Sequence, residues 1–232
     1  MTQPMLDRRM VLGAAVLATA VTATSVSAQP AAPLTFAPQP QPLPFDPKAV
    51  AGLSEKLLTS HHDNNYVGAV KRLGAIRSEF GKLDPATAPV FVINGLKREE
   101  LIAWNSMILH EVYFNGLRPA EAASPALAQA IERDFGSREK WAAEFSSMGK
   151  ALGGGSGWVL LTYSRHDNRL VNTWAADHTM VMADGAPLLA LDMYEHAYHM
   201  DFGSKAGDYV NTFMKAFTWR HANNSFRRAT AA

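Results

Sequence analysis

Polar and apolar positions alternate along this chain in two distinct rhythms. From Leu53 to about Phe80 apolar residues return at helical spacing through Leu57, Leu58, Val67, Val70, Leu73 and Ile76, with Ser54 placed as an N-cap. This predicts one long amphipathic helix. A second stripe through Leu101, Trp104, Ile108 and Val112 predicts a helix from about Lys97 to Asn115, opened by Lys-Arg-Glu-Glu and stopped at Gly116. Two such helices joined by one loop predict an antiparallel hairpin. Shorter helices are expected at about 124 to 135 and 137 to 151, before the Gly153 to Gly157 run breaks the period. After it come three β-prone segments, Trp158 to Tyr163, Leu170 to Ala175 and Pro187 to Asp192, the first two separated by the turn-rich Ser164 to Asn168. A last helix is expected from about Lys205 to Ala222.

The fold class is therefore α+β: a helical hairpin over 43–120, then an α/β domain over 121–232 with a small three-stranded antiparallel sheet. Ahead of both stands a Pro-rich arm, 29–42, too rich in proline for a helix or a central strand. Residues 1–28 read differently again. Asp7-Arg8-Arg9-Met10-Val11-Leu12 leads into an Ala-rich apolar run that ends in Ser25-Val26-Ser27-Ala28, the pattern of a signal peptide cut after Ala28. The paired arginines resemble a twin-arginine address, so the expected location is periplasmic or extracellular, reached by export of the folded chain. The run is too short for a stable membrane anchor.

Charge narrows the possible partners. The chain carries 22 basic and 21 acidic residues, and removing Arg8, Arg9 and Asp7 leaves 20 of each, which gives no reason to expect nucleic acid. There is no cysteine, so disulfides are excluded and any metal site must use nitrogen and oxygen donors. Asp192 and His196 stand four residues apart, where a helical turn would bring carboxylate and imidazole to one face. By spacing alone, such a pair is either a metal-ligand pair or a simple hydrogen-bonded pair.

Asp192-Met193-Tyr194-Glu195-His196-Ala197-Tyr198 resembles the Asp-x-Trp-Glu-His-Ala-Tyr signature of iron/manganese superoxide dismutases. Further landmarks follow in the family's order: Leu43-Pro44-Phe45, His61-His62-Asp63, Asn105 to His110, Gly155-Ser156-Gly157-Trp158 and Gly207-Asp208-Tyr209-Val210. The resemblance covers roughly residues 41 to 222. It implies one iron or manganese ion per subunit, held by His61, His110, Asp192 and His196 with one solvent molecule completing a five-coordinate site. It also implies that superoxide is the substrate, converted to dioxygen and hydrogen peroxide.

Around the ligands this sequence departs from the family. Counted without a gap from His61, the position of the gateway tyrosine is Ala69, and Tyr66 reaches an equivalent place only if the helix has lost about one turn. The glutamine aimed at the bound solvent in many manganese enzymes is missing; Asp177-His178 stands there, and an imidazole can make the same hydrogen bond. Phe114, Tyr194 and Leu160 replace tryptophans, while Trp158 remains. Glu195 implies a homodimer, and the family's other cross-interface pair becomes Asn65 and His199. His62, His166 and His221 are assigned no role. Two readings follow: a superoxide dismutase, or an exported metal-binding protein of the same fold whose turnover is weak because the ligand surroundings are rewritten.

Overall fold

The computed structural model describes residues 37–117 and 120–231; the predicted signal peptide and most of the Pro-rich arm lie outside them. Helix α1 (Glu55–Ser60) is capped by Ser54, whose side chain accepts from Leu57 N. It runs without a break through a π-helical turn, His61–Tyr66, into α2 (Val67–Phe80). Val67 N donates to His62 O, five residues back, so this turn holds one residue more than an α-helical one. The predicted single helix is thus continuous but locally widened at His61.

Helix α3 (Val90–Asn115) begins directly after Pro89, seven residues before the expected Lys97, and stops at Gly116 as predicted. Helices α2 and α3 pack as the hairpin, with Leu73, Ile76 and Ala103 forming a small buried cluster in it. Arg77 reinforces the pair, bonded to Glu100 at 3.1 Å and lying 4.2 Å from the centre of the Trp104 ring. Helices α4 (Pro125–Phe135) and α5 (Arg138–Ala151) follow, capped by Ser124 and Ser137. The boundary expected near residue 120 falls in the connection between α3 and α4.

Strands β1 (Trp158–Ser164), β2 (Arg169–Ala175) and β3 (Gly185–Asp192) form one antiparallel sheet in the order β2-β1-β3. Strand β1 is buried along its whole length, as a central strand covered on both faces should be. The register of β3 slips beside Pro187, where a bulge on an edge strand accommodates a residue with no N–H. Gly157, at φ 131°, admits the chain to β1; a Cβ there would stand 2.2 Å from Ala175 O. Gly157 O accepts from Met193 N at 2.9 Å, which anchors the segment just after β3.

The predicted final helix is two helices, α7 (Ala206–Ala216) and α8 (Arg220–Thr230), preceded by the short α6 (His199–Phe202). The break comes from tethers outside the helix: Thr218 N donates to Gly116 O at 2.7 Å, and Thr218 Oγ1 accepts from Glu121 N at 2.9 Å. Helix α8 then buries Ala222, Phe226 and Ala229, so helical structure runs past the expected end at Ala222. One core cluster joins Leu57, Leu58 and Leu109 of the hairpin to Val159, Leu161 and Leu191 of the sheet and Phe213 of α7. Its upper end holds the site.

Candidate metal centre

Four side chains from four segments meet at this end of the core. His61 is the first residue of the π-helical turn, His110 lies near the end of α3, Asp192 ends β3, and His196 sits in a 3-10 turn, Glu195–Ala197. The four-residue spacing of Asp192 and His196 is therefore not a helical turn as the sequence suggested. Asp192 is the last residue of a strand, and the chain doubles back through Met193 and Tyr194 to bring the imidazole round.

The geometry centres on one oxygen. Asp192 Oδ2 lies 3.0 Å from His61 Nε2, 3.1 Å from His196 Nε2 and 3.6 Å from His110 Nε2. Donor atoms bound to a common first-row ion at about 2.0–2.2 Å stand roughly 3 Å from one another, so these residues fit a single metal ion. A second observation agrees: His110 Nε2 is buried without a hydrogen-bond partner. His110 Nδ1 donates to Ser106 O at 2.6 Å, which fixes the tautomer and leaves the Nε2 lone pair toward the cluster. Asp192 Oδ1 accepts from Tyr194 N at 2.9 Å, leaving Oδ2 for the ion.

Electrostatics set the protonation states that ligation needs. Burial pushes both His61 and His110 below the usual imidazole range, His110 to about 3, so both rings are neutral at physiological pH. Burial alone would raise Asp192, but the charges and hydrogen bonds of His196 and His61 hold its carboxyl below the ordinary range. The side chains of His61, His110 and Asp192 are 0, 1 and 0 % exposed, against 27 % for His196. Aromatic rings wall the cluster: Tyr113 and Phe114 lie 4.9 and 5.0 Å from His61, and Trp158 stands edge-on to His110 at 5.3 Å.

The other predicted residues fall into two places. His178, in the β2–β3 loop, packs beside His110 at 6.4 Å between ring centres, accepts or donates through Nδ1 to the Tyr194 hydroxyl at 3.1 Å, and keeps Nε2 buried without a partner. Tyr66 is directed elsewhere. Its hydroxyl donates to Glu111 Oε1 at 3.0 Å and accepts from Gln41 N at 2.9 Å, and the Phe114 ring contacts both it and His61. Burial raises both the Tyr66 hydroxyl, to about 12, and the Glu111 carboxyl. Tyr66, Glu111, His62 and Gln41 line a cavity of about 300 Å³. His62 turns away from the ligands, as expected, with Nε2 on Gln41 O at 2.9 Å. Glu195 and His199 are exposed and Asn65 is half-buried.

Sequence reasoning left Ser106, Glu111 and Tyr194 without a role. Tyr194 stood in the signature itself, yet its partner His178 is sixteen residues away in a loop of no regular pattern.

Three imidazoles, two of them buried and one half-buried, and a buried carboxylate around one point, on an α+β scaffold, define a mononuclear metalloprotein. Residues 123–225 match the C-terminal domain of iron/manganese superoxide dismutases. The chain is 62 % identical over 189 residues to "Superoxide dismutase [Fe]" of Cupriavidus metallidurans, covering 82 % of this chain and 96 % of that one. It is 34 % identical over 200 residues to "Superoxide dismutase [Fe]" of Synechococcus elongatus, covering 82 % and 96 %. Against "Superoxide dismutase [Mn] 1" of Halobacterium salinarum identity is 33 % over 192 residues, covering 81 % and 94 %. The chain belongs to the iron/manganese superoxide dismutase family.

Proposed function

We infer that this protein is a superoxide dismutase, and the convergence of three imidazole nitrogens on Asp192 Oδ2 carries the inference. When bound, iron or manganese supplies a one-electron couple, through which two superoxide ions and two protons become one dioxygen and one hydrogen peroxide. The protein residues do the rest. Asp192 contributes the one negative charge among the four ligands, and the neutral His61 and His110 add none, so a bound divalent or trivalent ion would leave the site net positive for an anionic substrate. Tyr113, Phe114 and Trp158 exclude bulk water, which strengthens every charge interaction inside. His178 offers an uncommitted polar atom beside the ligands, as Trp158 does through Nε1, and its role as hydrogen-bonding partner of solvent or substrate is supported by that orphaned Nε2. Tyr66 closes the neighbouring cavity with Glu111 and is proposed to act from there on proton supply rather than at the ligands.

A homodimer formed through Glu195, His199 and Asn65 is the proposed assembly. Its support is the exposure of Glu195 and His199 on either side of His196, and the packing of the Glu195–Ala197 turn on the His61–Tyr66 turn. Export by the twin-arginine route rests on Arg8, Arg9 and the Ser25 to Ala28 motif. No helix among the described residues is long and apolar enough to cross a membrane.

The deciding measurement is superoxide dismutation by residues 29–232 loaded separately with iron and with manganese, each normalised to bound metal. High turnover with either establishes the activity and names the metal. Stoichiometric metal with negligible turnover in both overturns it in favour of a metal-binding protein.

A further inference from the structure

We propose that Tyr194 is a positioning residue for this reaction: its hydroxyl donates to His178 Nδ1 and so holds His178 as the tautomer whose Nε2 carries the proton beside the metal ligands. The proposal rests on the superoxide dismutase reading and deepens it.

His178 lies in the loop between β2 and β3, where no regular hydrogen-bond ladder fixes a side chain, so its orientation must come from tertiary partners. Its carbonyl accepts from Asn105 Nδ2 at 2.6 Å, which fixes the backbone but not the ring. The ring is held by Tyr194. The two rings stack at 4.9 Å with a 27° tilt, and the hydroxyl meets Nδ1 at 3.1 Å. Tyr194 stacks on the ligand His196 as well, at 5.5 Å and 16°, while its backbone N–H holds the non-ligating oxygen of Asp192 at 2.9 Å. One residue thereby ties two metal ligands and His178 into a single register.

A neutral imidazole has one N–H and one lone pair, and the partner of either nitrogen decides the state of the other. The direction follows from the chemistry of the pair. A phenolic O–H is the stronger donor of the two and an imidazole nitrogen the stronger acceptor, so across the 3.1 Å contact the proton belongs to Tyr194 and the lone pair to Nδ1. Nε2, buried with no partner among the described residues, is then an N–H rather than a bare lone pair. That is the polarity an anionic substrate and a proton-accepting product call for.

The test is 15N NMR of His178 in the full chain loaded with zinc, which is diamagnetic, for the wild type and for Tyr194→Phe. The variant keeps the stacked ring and deletes only the hydroxyl. The wild type should show one neutral tautomer, protonated on Nε2, and Tyr194→Phe with equal zinc content should show a mixture or the opposite tautomer. A wild-type ring protonated on Nδ1, or a spectrum unmoved by the substitution, overturns the proposal. If Tyr194→Phe fails to retain zinc, the wild-type spectrum decides by itself. In the iron-loaded protein the same variant should keep its iron and lose roughly 10–100-fold in turnover. A wild-type chain that binds iron without dismuting superoxide would sink the functional reading while leaving the tautomer result to stand or fall separately.

Discussion

Each of the three imidazoles reaches Asp192 Oδ2 through Nε2, so one oxygen lies within 3.6 Å of three nitrogens. Without a metal ion this arrangement has a pH dependence whose sign can be worked out. The unfolded chain takes up a proton on each histidine near pH 6.5, whereas burial lowers His61 in the folded chain and keeps His110 deprotonated down to about pH 3. The folded state then binds fewer protons, so stability is fully present above pH 6.5 and is lost as the pH falls below it. Asp192, held below the carboxylate range, adds the same sign below about pH 3.9. Metal-free protein should therefore lose about 1.4 kcal/mol per pH unit through His110 between pH 6.5 and about 3, with a further loss of the same sign from His61, read as a falling urea midpoint. A midpoint unchanged between pH 7 and pH 5 would contradict the assignment. His178→Ala should retain metal stoichiometrically and lose roughly 10–100-fold in turnover, whereas His110→Ala should lose the metal itself. The ligands were legible because the signature around Asp192 and His196 fixes two of them and the ordered landmarks fix the rest. Tyr194 was not, since its hydroxyl acquires meaning only when the β2–β3 loop folds back over it.

Among the elements, the π-helical turn has the most direct bearing on the site. The apolar stripe through Leu57, Leu58, Val70 and Leu73 reads as one helix because a single extra residue barely disturbs a helical periodicity over 28 residues. The widening at His61–Tyr66 is invisible in that pattern, yet it sets the angle between His61, facing the ligands, and Tyr66, facing Glu111. Deleting Asn64 should convert the turn to α-helix, leave helical circular dichroism intact, and abolish metal retention. Full metal content in that variant would show the turn to be incidental. The break before α8 was equally illegible, because it is imposed by Thr218 on Gly116 and Glu121, about a hundred residues earlier. Gly157 is the other sensitive point. Gly157→Ala would combine a left-handed backbone with a clash against Ala175 O, and should cost roughly 2–5 kcal/mol, measurable as a lowered denaturation midpoint.

For the whole molecule, the hairpin and the sheet share one apolar core, with the ligands at the junction of both. Their order along the chain was clear from the helical period up to about residue 151 and the short β-prone segments after Gly157, because those are local features of the sequence. How the halves meet depends on the shared core to which Leu57, Leu109 and Leu191 belong, which no local pattern encodes. Assembly is tested at the same scale. Glu195→Ala should shift the metal-loaded protein from dimer to monomer in light scattering at micromolar concentration, and an unchanged mass would remove Glu195 from the interface. Replacing Arg8 and Arg9 by Lys should leave unprocessed precursor inside the cell, by fractionation and immunoblot.

The uneven cover of the ligands has a kinetic corollary. Three of them are sealed from solvent, and only the edge of His196 is open, at 27 %. An ion leaving the folded protein must pass that edge first, so whatever lies over His196 acts as a stopper on exchange. If a second copy sits there, the half-life of the bound ion against a chelator will lengthen with protein concentration, and the rate of metal loss becomes a clock for how often the subunits part.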